Sequence, residues 1–410
     1  MLTASVLHLS SIFSKHCQNT RLLDLKTECD YILPMNLRIV FNGKRLTKRA
    51  KLTRALATLS LLTLLAACRA SAPQAMLEDY AARMSTVLDT EINLSLTQAA
   101  LTLPAFPAKR ERLLQTTELR ENLWDVLDFR QCDMLQLISE RNSSLGKVMQ
   151  PSQKMRYELR FIKTLQNCRE TLKAIENPDD TQLAFQSRLE EIYQTKRDNL
   201  SLEVWNGIYG SNEIDQHFKV GKPPLPLTAD NNGHVQQAFE QLAELATLSK
   251  FDAITLPVWL DKVEAPYEVM HRSEFGSHLL SSLSMMTQTL DRTAAAIEER
   301  LKRKPFCFPD HQPPHAKTLN NVFHKYYAGK VQPYMAVIQR QGKPWFVLHD
   351  NLMSQLPAPS AMQNYQQQVV GVSVKNSLWG QWVQARKRHT NAWQKILGQC
   401  NMMPGASDRR

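Results

Sequence analysis

The stretch FGSHLLSSLSMMTQTLDRTAAAIEERL, residues 275–301, decides the fold. Its apolar residues recur at steps of three and four, the spacing that places side chains on one face of an α-helix. The members of this stripe are Phe275, Leu279, Leu283, Met286, Leu290, Ala294, Ile297 and Leu301. We interpret the stripe as the seam of an intramolecular helical bundle, because the chain supplies several other helices as partners. The helix is expected to run from about Pro266 to Lys304.

Comparable periodic segments on both sides of this stretch predict a mainly α-helical fold. Thirteen glycines among 410 residues are few, which argues against a turn-rich β fold. We expect further helices over residues 76–91, 111–141, 151–176, 178–207, 231–250, 317–328 and 377–398. The fourth of these should begin with Asn177 as its N-cap and Pro178 in its first turn. The expected architecture is an irregular multi-helix bundle.

A proline-rich segment, KVGKPPLPLTAD at residues 219–230, divides the periodic segments into two groups. Three prolines within four residues favour an extended, fairly stiff connector. We therefore predict two lobes: an N-terminal helical lobe at 76–218, a linker at 219–230 and a C-terminal helical lobe at 231–410.

Two segments near the C terminus have ambiguous patterns. Residues 331–350 fit helical spacing and lack strict alternation of apolar and polar residues, so we favour a helix there. The alternative is a small β-hairpin, with strands at 335–340 and 345–349 about a turn that contains Gly342. The run VVGVSV at 369–374 is the most strand-like in the chain.

The stretch KRLTKRAKLTRALATLSLLTLLAAC, residues 44–68, has the pattern of a secretory signal. Six of its first eleven residues are Lys or Arg, and the next thirteen carry no charge. Thirteen residues rise about 20 Å as a helix, which is too short to cross a hydrocarbon core of about 30 Å. We interpret residues 1–67 as a signal region, with Met35 as a candidate true start because acidic residues precede it.

The signal ends in Leu65-Ala66-Ala67-Cys68, which resembles the bacterial lipobox. In a lipobox a diacylglycerol is transferred to the cysteine thiol and the peptide is cut just before that residue. We therefore predict cleavage between Ala67 and Cys68, lipidation of Cys68 and a tether over 68–75, with ordinary secretory cleavage as the alternative. Because Arg69 rather than Asp follows the cysteine, we expect the protein on the periplasmic face of the outer membrane.

Removing residues 1–67 changes the charge balance of the chain. The formal charge is +11 for all 410 residues, but residues 68–410 hold 40 basic and 36 acidic side chains, a charge of +4. A balance this close to neutral predicts no binding to nucleic acid.

The mature chain would keep four cysteines besides the lipidated one: Cys132, Cys168, Cys307 and Cys400. An even number in an oxidising compartment predicts two disulfides. Cys132 and Cys168 lie at equal distances from residue 150, where the helices before and after it would turn back as an antiparallel hairpin. This argument pairs Cys132 with Cys168 and leaves Cys307 for Cys400; four buried free thiols are the alternative.

Motifs that could support catalysis or metal binding are weak. Ser144-Leu-Gly-Lys147 matches the S-x-x-K of penicillin-binding enzymes, but no S-x-N or K-T-G partner follows it. Asp310, His311 and His315 lie close to Cys307, yet the prolines among them prevent the one-turn helical spacing of a metal site. We predict no metal and no cofactor, with Asp310, His311 and His315 as the weak metal candidates.

Two basic runs, at 300–304 and 386–389, are typical of solvated helix faces. The functional alternative is contact with anionic lipid head groups, because a tether would hold the domain near such a surface.

Four motifs together resemble a family of uncharacterised proteobacterial lipoproteins, domain of unknown function 3080. They are LAAC at 65–68, KPFCFP at 304–309, FHKYYAGKVQPY at 323–334 and LWGQWV at 378–383. The resemblance covers the mature chain and implies a gammaproteobacterial envelope protein. It supplies no activity, cofactor or catalytic residue.

From these observations we expect a non-enzymatic lipoprotein that binds or scaffolds an envelope protein or anionic lipid head groups. The alternative is a hydrolase or transferase that acts on cell-wall or lipid substrates. An enzyme should bring polar side chains together in one pocket, whereas a scaffold should expose an apolar or aromatic patch.

Overall fold

The computed structural model describes residues 72–119, 128–228, 232–308 and 313–404, all within one compact unit, Ala70–Arg410. The α-helices are α1 (Ala72–Leu88), α2 (Leu96–Leu101), α3 (Lys109–Arg112), α4 (Leu135–Asn142), α5 (Pro151–Lys173), α6 (Asp180–Tyr209), α7 (Asp215–Phe218), α8 (Gly233–Leu248), α9 (Glu264–His271), α10 (Phe275–Arg303), α11 (Pro314–Val322), α12 (Gln332–Gln355), α13 (Ser360–Tyr365) and α14 (Leu378–Gln399). Shorter elements are the 3₁₀ helices Phe129–Cys132, Gly146–Val148 and Val258–Lys262 and the π-helices Phe323–Val331 and Gln366–Val370. No β-strand occurs in these described ranges, so the mainly α-helical prediction is confirmed.

Helix α10 forms the centre of the fold. It packs against α1, α2, α7, α12 and α14. Every member of the apolar stripe is buried except Leu301, which is partly buried, and this confirms an internal bundle seam. The helix is shorter than expected, because residues 272–274 separate it from α9.

Helix α10 is buried on more sides than its stripe indicates. Thr289 and Thr293 are fully buried, and their hydroxyls donate to main-chain carbonyls one turn earlier, at 2.9 and 2.7 Å. Internal bonds of this kind let small polar side chains lie inside a core without an unsatisfied donor.

The proline-rich segment is pinned to the bundle where the structure describes it. Leu225 is buried; its N–H donates to Ser282 Oγ of α10 at 2.8 Å, and its carbonyl accepts from the Tyr334 hydroxyl of α12 at 2.7 Å. Lys222 pairs with Glu274 at 2.8 Å. Helices from both sides of the segment contribute to one hydrophobic core, so the two-lobe arrangement is not confirmed.

Residues 113–119, called the strap below, are extended rather than helical. The helix predicted over 111–141 is therefore wrong there; α3 ends at Arg112, α4 begins at Leu135, and residues 120–127 lie outside the described ranges. The strap runs along α6, where Asn206 pairs with both the N–H and the C=O of Leu114, each at 2.8 Å. Asn199 pairs in the same way with Thr117, at 3.1 and 2.8 Å. These side-chain amides replace the bonds that a helix would have made.

Residues 314–355 form one uninterrupted rod of α11, a π-helix and α12. The hairpin alternative is wrong, because both of its strands fall inside α12. The strand-like run at 369–374 is not a strand either: Gln366–Val370 is a π-helix, and turns follow it.

Two predicted helix starts are displaced. Helix α6 begins at Asp180 because Asp179, not Asn177, is its N-cap: the Asp179 carboxylate accepts the N–H of Gln182 at 2.8 Å, and the Gln182 side chain accepts the N–H of Asp179 at 2.9 Å. Asn177 has a φ of 72°, which ends the preceding turn instead. Helix α1 begins at Ala72, so the tether predicted over 68–75 is helical in its second half.

Both predicted disulfides are present, Cys132–Cys168 and Cys307–Cys400. The first joins the 3₁₀ turn before α4 to α5, and the second joins the segment after α10 to the end of α14. The second bond therefore fixes the C-terminal ends of α10 and α14 beside each other.

Candidate functional site

The predicted lipidation and cleavage residues, Cys68 and Ala67, lie outside the described residues, as do Asp310 and His311. His315 packs edge-on against Phe306, with its Nε2 3.4 Å from the Phe306 carbonyl. Over the described ranges no group of three or more His, Cys, Asp or Glu side chains is arranged to hold a metal, and no helix is long and apolar enough to cross a membrane.

Ser144 and Lys147 lie in an exposed turn between α4 and α5. The turn is held by Ser143, whose Oγ accepts the N–H of Gly146 at 2.9 Å. A polar turn, rather than a nucleophile and its base, accounts for this S-x-x-K match.

The four arginines of the two basic runs all make contacts within the molecule. Arg300 is buried and donates to the Lys304 carbonyl at 2.8 Å, while Arg303 donates to the Asp89 carbonyl at 2.7 Å. Arg386 donates to the Gln339 side chain, and Arg388 forms ion pairs with α10. Lys302, Arg303, Lys304, Lys387 and Arg388 are nevertheless exposed, so the two runs are largely solvated, as their sequence indicates.

A polar groove between α10 and α14 is the strongest candidate site. The two helices run in the same direction, since their C-terminal ends are joined by Cys307–Cys400 and their N-terminal halves bring Ser284 and Leu378 to the same end of the groove. Two adjoining hollows, of about 650 and 530 Å³, share Asp291 and Arg388 among their walls. We call this feature the α10–α14 groove.

The walls of the groove carry amides and charges of both signs beside apolar side chains such as Leu103, Pro104 and Leu378. Helix α14 and the turn before it contribute Asn376, Gln381, Gln384, Lys387, Arg388, Asn391 and Lys395. Helix α10 contributes Ser284, Thr287, Gln288, Asp291, Arg292 and Glu298. On α14, steps of three, four, three and four from Gln381 to Lys395 keep these polar side chains on one helix face.

Arg388 lies at the centre of the groove. Its Nε and Nη2 atoms donate hydrogen bonds to the two carboxylate oxygens of Glu298, at 3.1 and 2.7 Å. Its Nη1 atom lies 3.7 Å from a carboxylate oxygen of Asp291. The hydrogen bond from Arg388 lowers the pKa of Glu298, whereas burial raises the pKa of Asp291. Two carboxylates seven residues apart on one helix therefore titrate differently.

Thr287 lines the groove with a hydroxyl that has no hydrogen-bond partner. The residue is 8% exposed, and a buried hydroxyl without a partner costs free energy unless a ligand or water satisfies it. Because the oxygen atom itself is enclosed, this hydroxyl is a polar point in the groove wall and not a contact offered to a ligand.

Two buried histidine clusters are structural rather than functional. His389 Nε2 lies 2.9 Å from the Tyr80 hydroxyl, and His349 Nδ1 lies 3.1 Å from the Tyr209 hydroxyl. Both histidines are fully buried, and burial lowers the pKa of His389 to about 3. Neither ring is accessible to a substrate.

Sequence reasoning missed the groove. It treated residues 386–389 as one basic run, although His389 faces the core and Arg388 faces α10. The sequence feature that could have indicated the groove is the row of amide and charged residues from Gln381 to Lys395 on one face of α14. Such a row is also typical of an ordinary solvated helix face, and only the position of α10 distinguishes the two.

The architecture is a disulfide-linked, all-helical domain with a polar groove between two parallel helices. The family described as "Protein of unknown function (DUF3080)" matches residues 77–404, and the chain belongs to that family. No curated protein and no solved structure matches the chain.

Proposed function

We propose that the protein is a lipoprotein, tethered through Cys68 to the periplasmic face of the outer membrane, that binds a polar envelope component in the α10–α14 groove. The lipobox supports the tether, and two disulfides agree with an oxidising compartment. The observation that carries the binding role is an open groove whose walls carry amides and charges of both signs.

The tether is tested by lipid labelling. Cells grown with a radiolabelled fatty acid should label the protein, and Cys68→Ser should abolish the label and leave the signal uncut or release the protein from membranes. Undiminished label in Cys68→Ser would disprove attachment at this thiol.

The binding role is tested by site-specific photo-crosslinking in intact cells. A photoreactive amino acid in place of the exposed groove residue Gln381 should give a crosslinked product, whereas the same group in place of Gln194, exposed on α6, should not. Equal products from both positions, or none from Gln381, would contradict a ligand in the groove.

One observation favours the enzyme alternative, a hydrolase that acts on wall glycan. Asp291 and Glu298 face the same groove with pKa values displaced in opposite directions, a pattern found in acid and base pairs. Arg388 bridges both carboxylates, however, and a bridged pair is better suited to holding charge than to exchanging protons. Release of dye-labelled fragments from purified wall by the wild type, abolished in Asp291→Asn, would establish this activity instead.

A further inference from the structure

We propose that the outer face of the rod, residues 314–355, binds the anionic phospholipid head groups of the leaflet that holds the tether. This contact would fix the orientation of the domain on the membrane. The position of the bilayer rests on the proposed lipidation of Cys68, whereas the affinity of the face for anionic lipid does not.

The rod carries the net positive charge of the mature chain. Its basic side chains are Lys317, Lys325, Lys330, Arg340 and Lys343. Its one acidic side chain is Asp350, so its net charge is +4, the same as that of residues 68–410 as a whole. The rest of the mature chain is therefore balanced, and the excess of positive charge belongs to this one element.

These basic side chains are exposed and have no carboxylate partner. All five are exposed, whereas Val331 and Ile338 on the opposite side of the rod are buried. Within the described ranges none of the five side chains forms an ion pair or a hydrogen bond. One of them lies beside a ring, with the Lys330 Nζ atom 5.2 Å from the centre of the Tyr326 ring. Unlike the arginines of the two basic runs, they can therefore meet an external anion without losing a partner.

The π-helix Phe323–Val331 places two of the lysines side by side. Lys325 and Lys330 are five residues apart, the spacing of one hydrogen-bonded turn in a π-helix. In an α-helix the same spacing would turn them to different sides, because neighbours there are three or four residues apart. Helices of the π type are rare and occur frequently at functional sites. The local geometry of the rod thus concentrates positive charge at its middle.

Helix α1, the element next to the proposed tether, packs against this part of the rod. The rings of Tyr80 on α1 and Tyr327 on the rod are 6.1 Å apart. Cys68 lies four residues before Ala72, where α1 begins, and four extended residues span at most about 14 Å. A tether this short holds the domain against the bilayer but leaves it free to turn, so the charges on its surface decide which face meets the lipid.

An extended anionic surface is the partner that fits this face. The five cations are spread over roughly 35 Å from Lys317 to Lys343, which is too far for one small anion to bridge. A bilayer with anionic lipid attracts each Lys or Arg close to it, and the attraction decays over about 8 Å at physiological ionic strength. The face that carries the unpaired cations therefore gains most from lying on the head groups.

The test uses the full lipidated protein, reconstituted into vesicles of phosphatidylcholine alone or of equimolar phosphatidylcholine and phosphatidylglycerol. A photoreactive amino acid replaces Ala336, which is exposed on the rod, and phospholipid adducts are measured by mass spectrometry. We expect at least about fivefold more adduct in the anionic vesicles, and loss of this difference at high salt. The same group in place of Gln194, exposed on α6, should give equal and low yields in both vesicles.

A triple variant tests whether the charges of the rod cause the difference. Lys325→Gln/Lys330→Gln/Arg340→Gln should lower the adduct at position 336 in anionic vesicles to the yield in phosphatidylcholine, with an unchanged melting temperature. The matched control removes the same charge from exposed lysines outside the rod, and it should keep the difference between the two vesicles. It is Lys173→Gln/Lys250→Gln/Lys262→Gln.

Equal yields from the wild type in both vesicles, or equal losses in the two triple variants, would overturn the inference. Lipid labelling at Cys68 together with equal yields would mean that the tether is present and the face does not bind anionic lipid. If labelling shows that Cys68 carries no lipid, the protein is mixed with preformed vesicles and the same comparison is made. A higher yield in the anionic vesicles would then support the face although the tether is wrong, and equal yields would overturn both.

Discussion

At the scale of single residues, Arg112 joins three parts of the chain. Its Nε atom donates to the Tyr209 carbonyl at 2.8 Å and its Nη1 atom to the Pro107 carbonyl at 2.6 Å, while Nη2 lies 2.6 Å from the Asp215 carboxylate. The guanidinium group also lies 4.5 Å from the centre of the Phe106 ring. One buried cation thus fixes the segment before the strap, the end of α6 and the start of α7.

We expect Arg112→Ala to lower the free energy of unfolding by about 3 kcal/mol, since it removes a buried charge and leaves two carbonyl groups without donors. Arg272→Ala is the control and should cost less than about 1 kcal/mol, because the Arg272 and Glu268 side chains of its ion pair are 76% and 60% exposed. Urea unfolding of both variants measures the difference, and equal losses would contradict the assigned role of Arg112.

The buried histidines predict sensitivity to mild acid. Burial lowers the pKa of His217 to about 4 and that of His389 to about 3, against about 6.5 in the unfolded chain. The unfolded state therefore binds protons first, and stability that is complete above pH 6.5 is lost as the pH falls toward these folded-state values. Between pH 6.5 and 5 we expect each histidine to contribute a slope approaching about 1.4 kcal/mol per pH unit.

Urea midpoints measured at pH 7.5, 6.5, 5.5 and 5 test this dependence. His217→Phe should make the curve less steep in that range while His389 keeps its own contribution, whereas replacement of the exposed His271 by Phe should not reduce the slope. A curve that is flat in the wild type would show that these rings are protonated without unfolding.

Sequence patterns predicted some residue contacts well and others not at all. The two disulfides follow from the order of helices and the symmetry of Cys132 and Cys168 about a turn, both of which are local. The N-cap of α6 was placed two residues early, because Asn177 and Asp179 are both good caps and only the bonds to Gln182 decide between them. The partners of Arg388 give no signal in the sequence, because Asp291 and Glu298 lie on a helix that is distant along the chain.

At the scale of elements, the strap depends on two side chains of α6. Its backbone groups have partners because Asn199 and Asn206 provide them, and Trp205 adds a bond to the Arg112 carbonyl at 2.6 Å. Asn206→Leu should therefore release the strap while leaving α6 intact, since leucine keeps helical propensity and removes only the amide.

Hydrogen exchange measures this release. The Leu114 amide should exchange at least about tenfold faster in Asn206→Leu, whereas Gln194→Leu on the same helix should leave it unchanged. Unchanged protection of Leu114 in Asn206→Leu would show that other contacts hold the strap.

The strap was included in a predicted helix because the apolar residues from Leu123 to Ile138, which follow it, have a helical period. Its own backbone leaves the helical conformation because Asn199 and Asn206 of α6 supply donors and acceptors at the correct spacing. The rod at 314–355 is the opposite case: its ambiguous pattern resolves as a helix because Ile338, Trp345 and Leu352 are buried on one side of α12. The periodicity of a segment therefore predicts its secondary structure only when its backbone N–H and C=O groups are not bound by side chains of a neighbouring element.

At the scale of the whole molecule, the two disulfides close loops of different length. Their cysteines are separated by 36 residues for Cys132–Cys168 and by 93 for Cys307–Cys400. The chain-entropy model then predicts that loss of the second bond costs about 0.8 kcal/mol more than loss of the first.

We expect Cys307→Ser/Cys400→Ser to lower the free energy of unfolding by about 4 to 5 kcal/mol and also to weaken ligand binding, because it frees the ends of both groove helices. Cys132→Ser/Cys168→Ser should destabilise somewhat less and leave binding unchanged, since that bond lies away from the groove. Urea unfolding and the yield of the Gln381 crosslink decide the matter, and identical losses of crosslink in both double variants would disagree with this account.

The order of the disulfides along the chain also has a consequence for biogenesis. Each bond joins neighbouring cysteines in the described sequence, Cys132 with Cys168 and then Cys307 with Cys400, so the two loops neither overlap nor nest. A chain exported amino terminus first, as proposed here, presents its first pair to the periplasmic oxidant before the second pair emerges. We therefore expect an oxidase that joins cysteines in order of arrival to form the native pairs directly, without a disulfide isomerase.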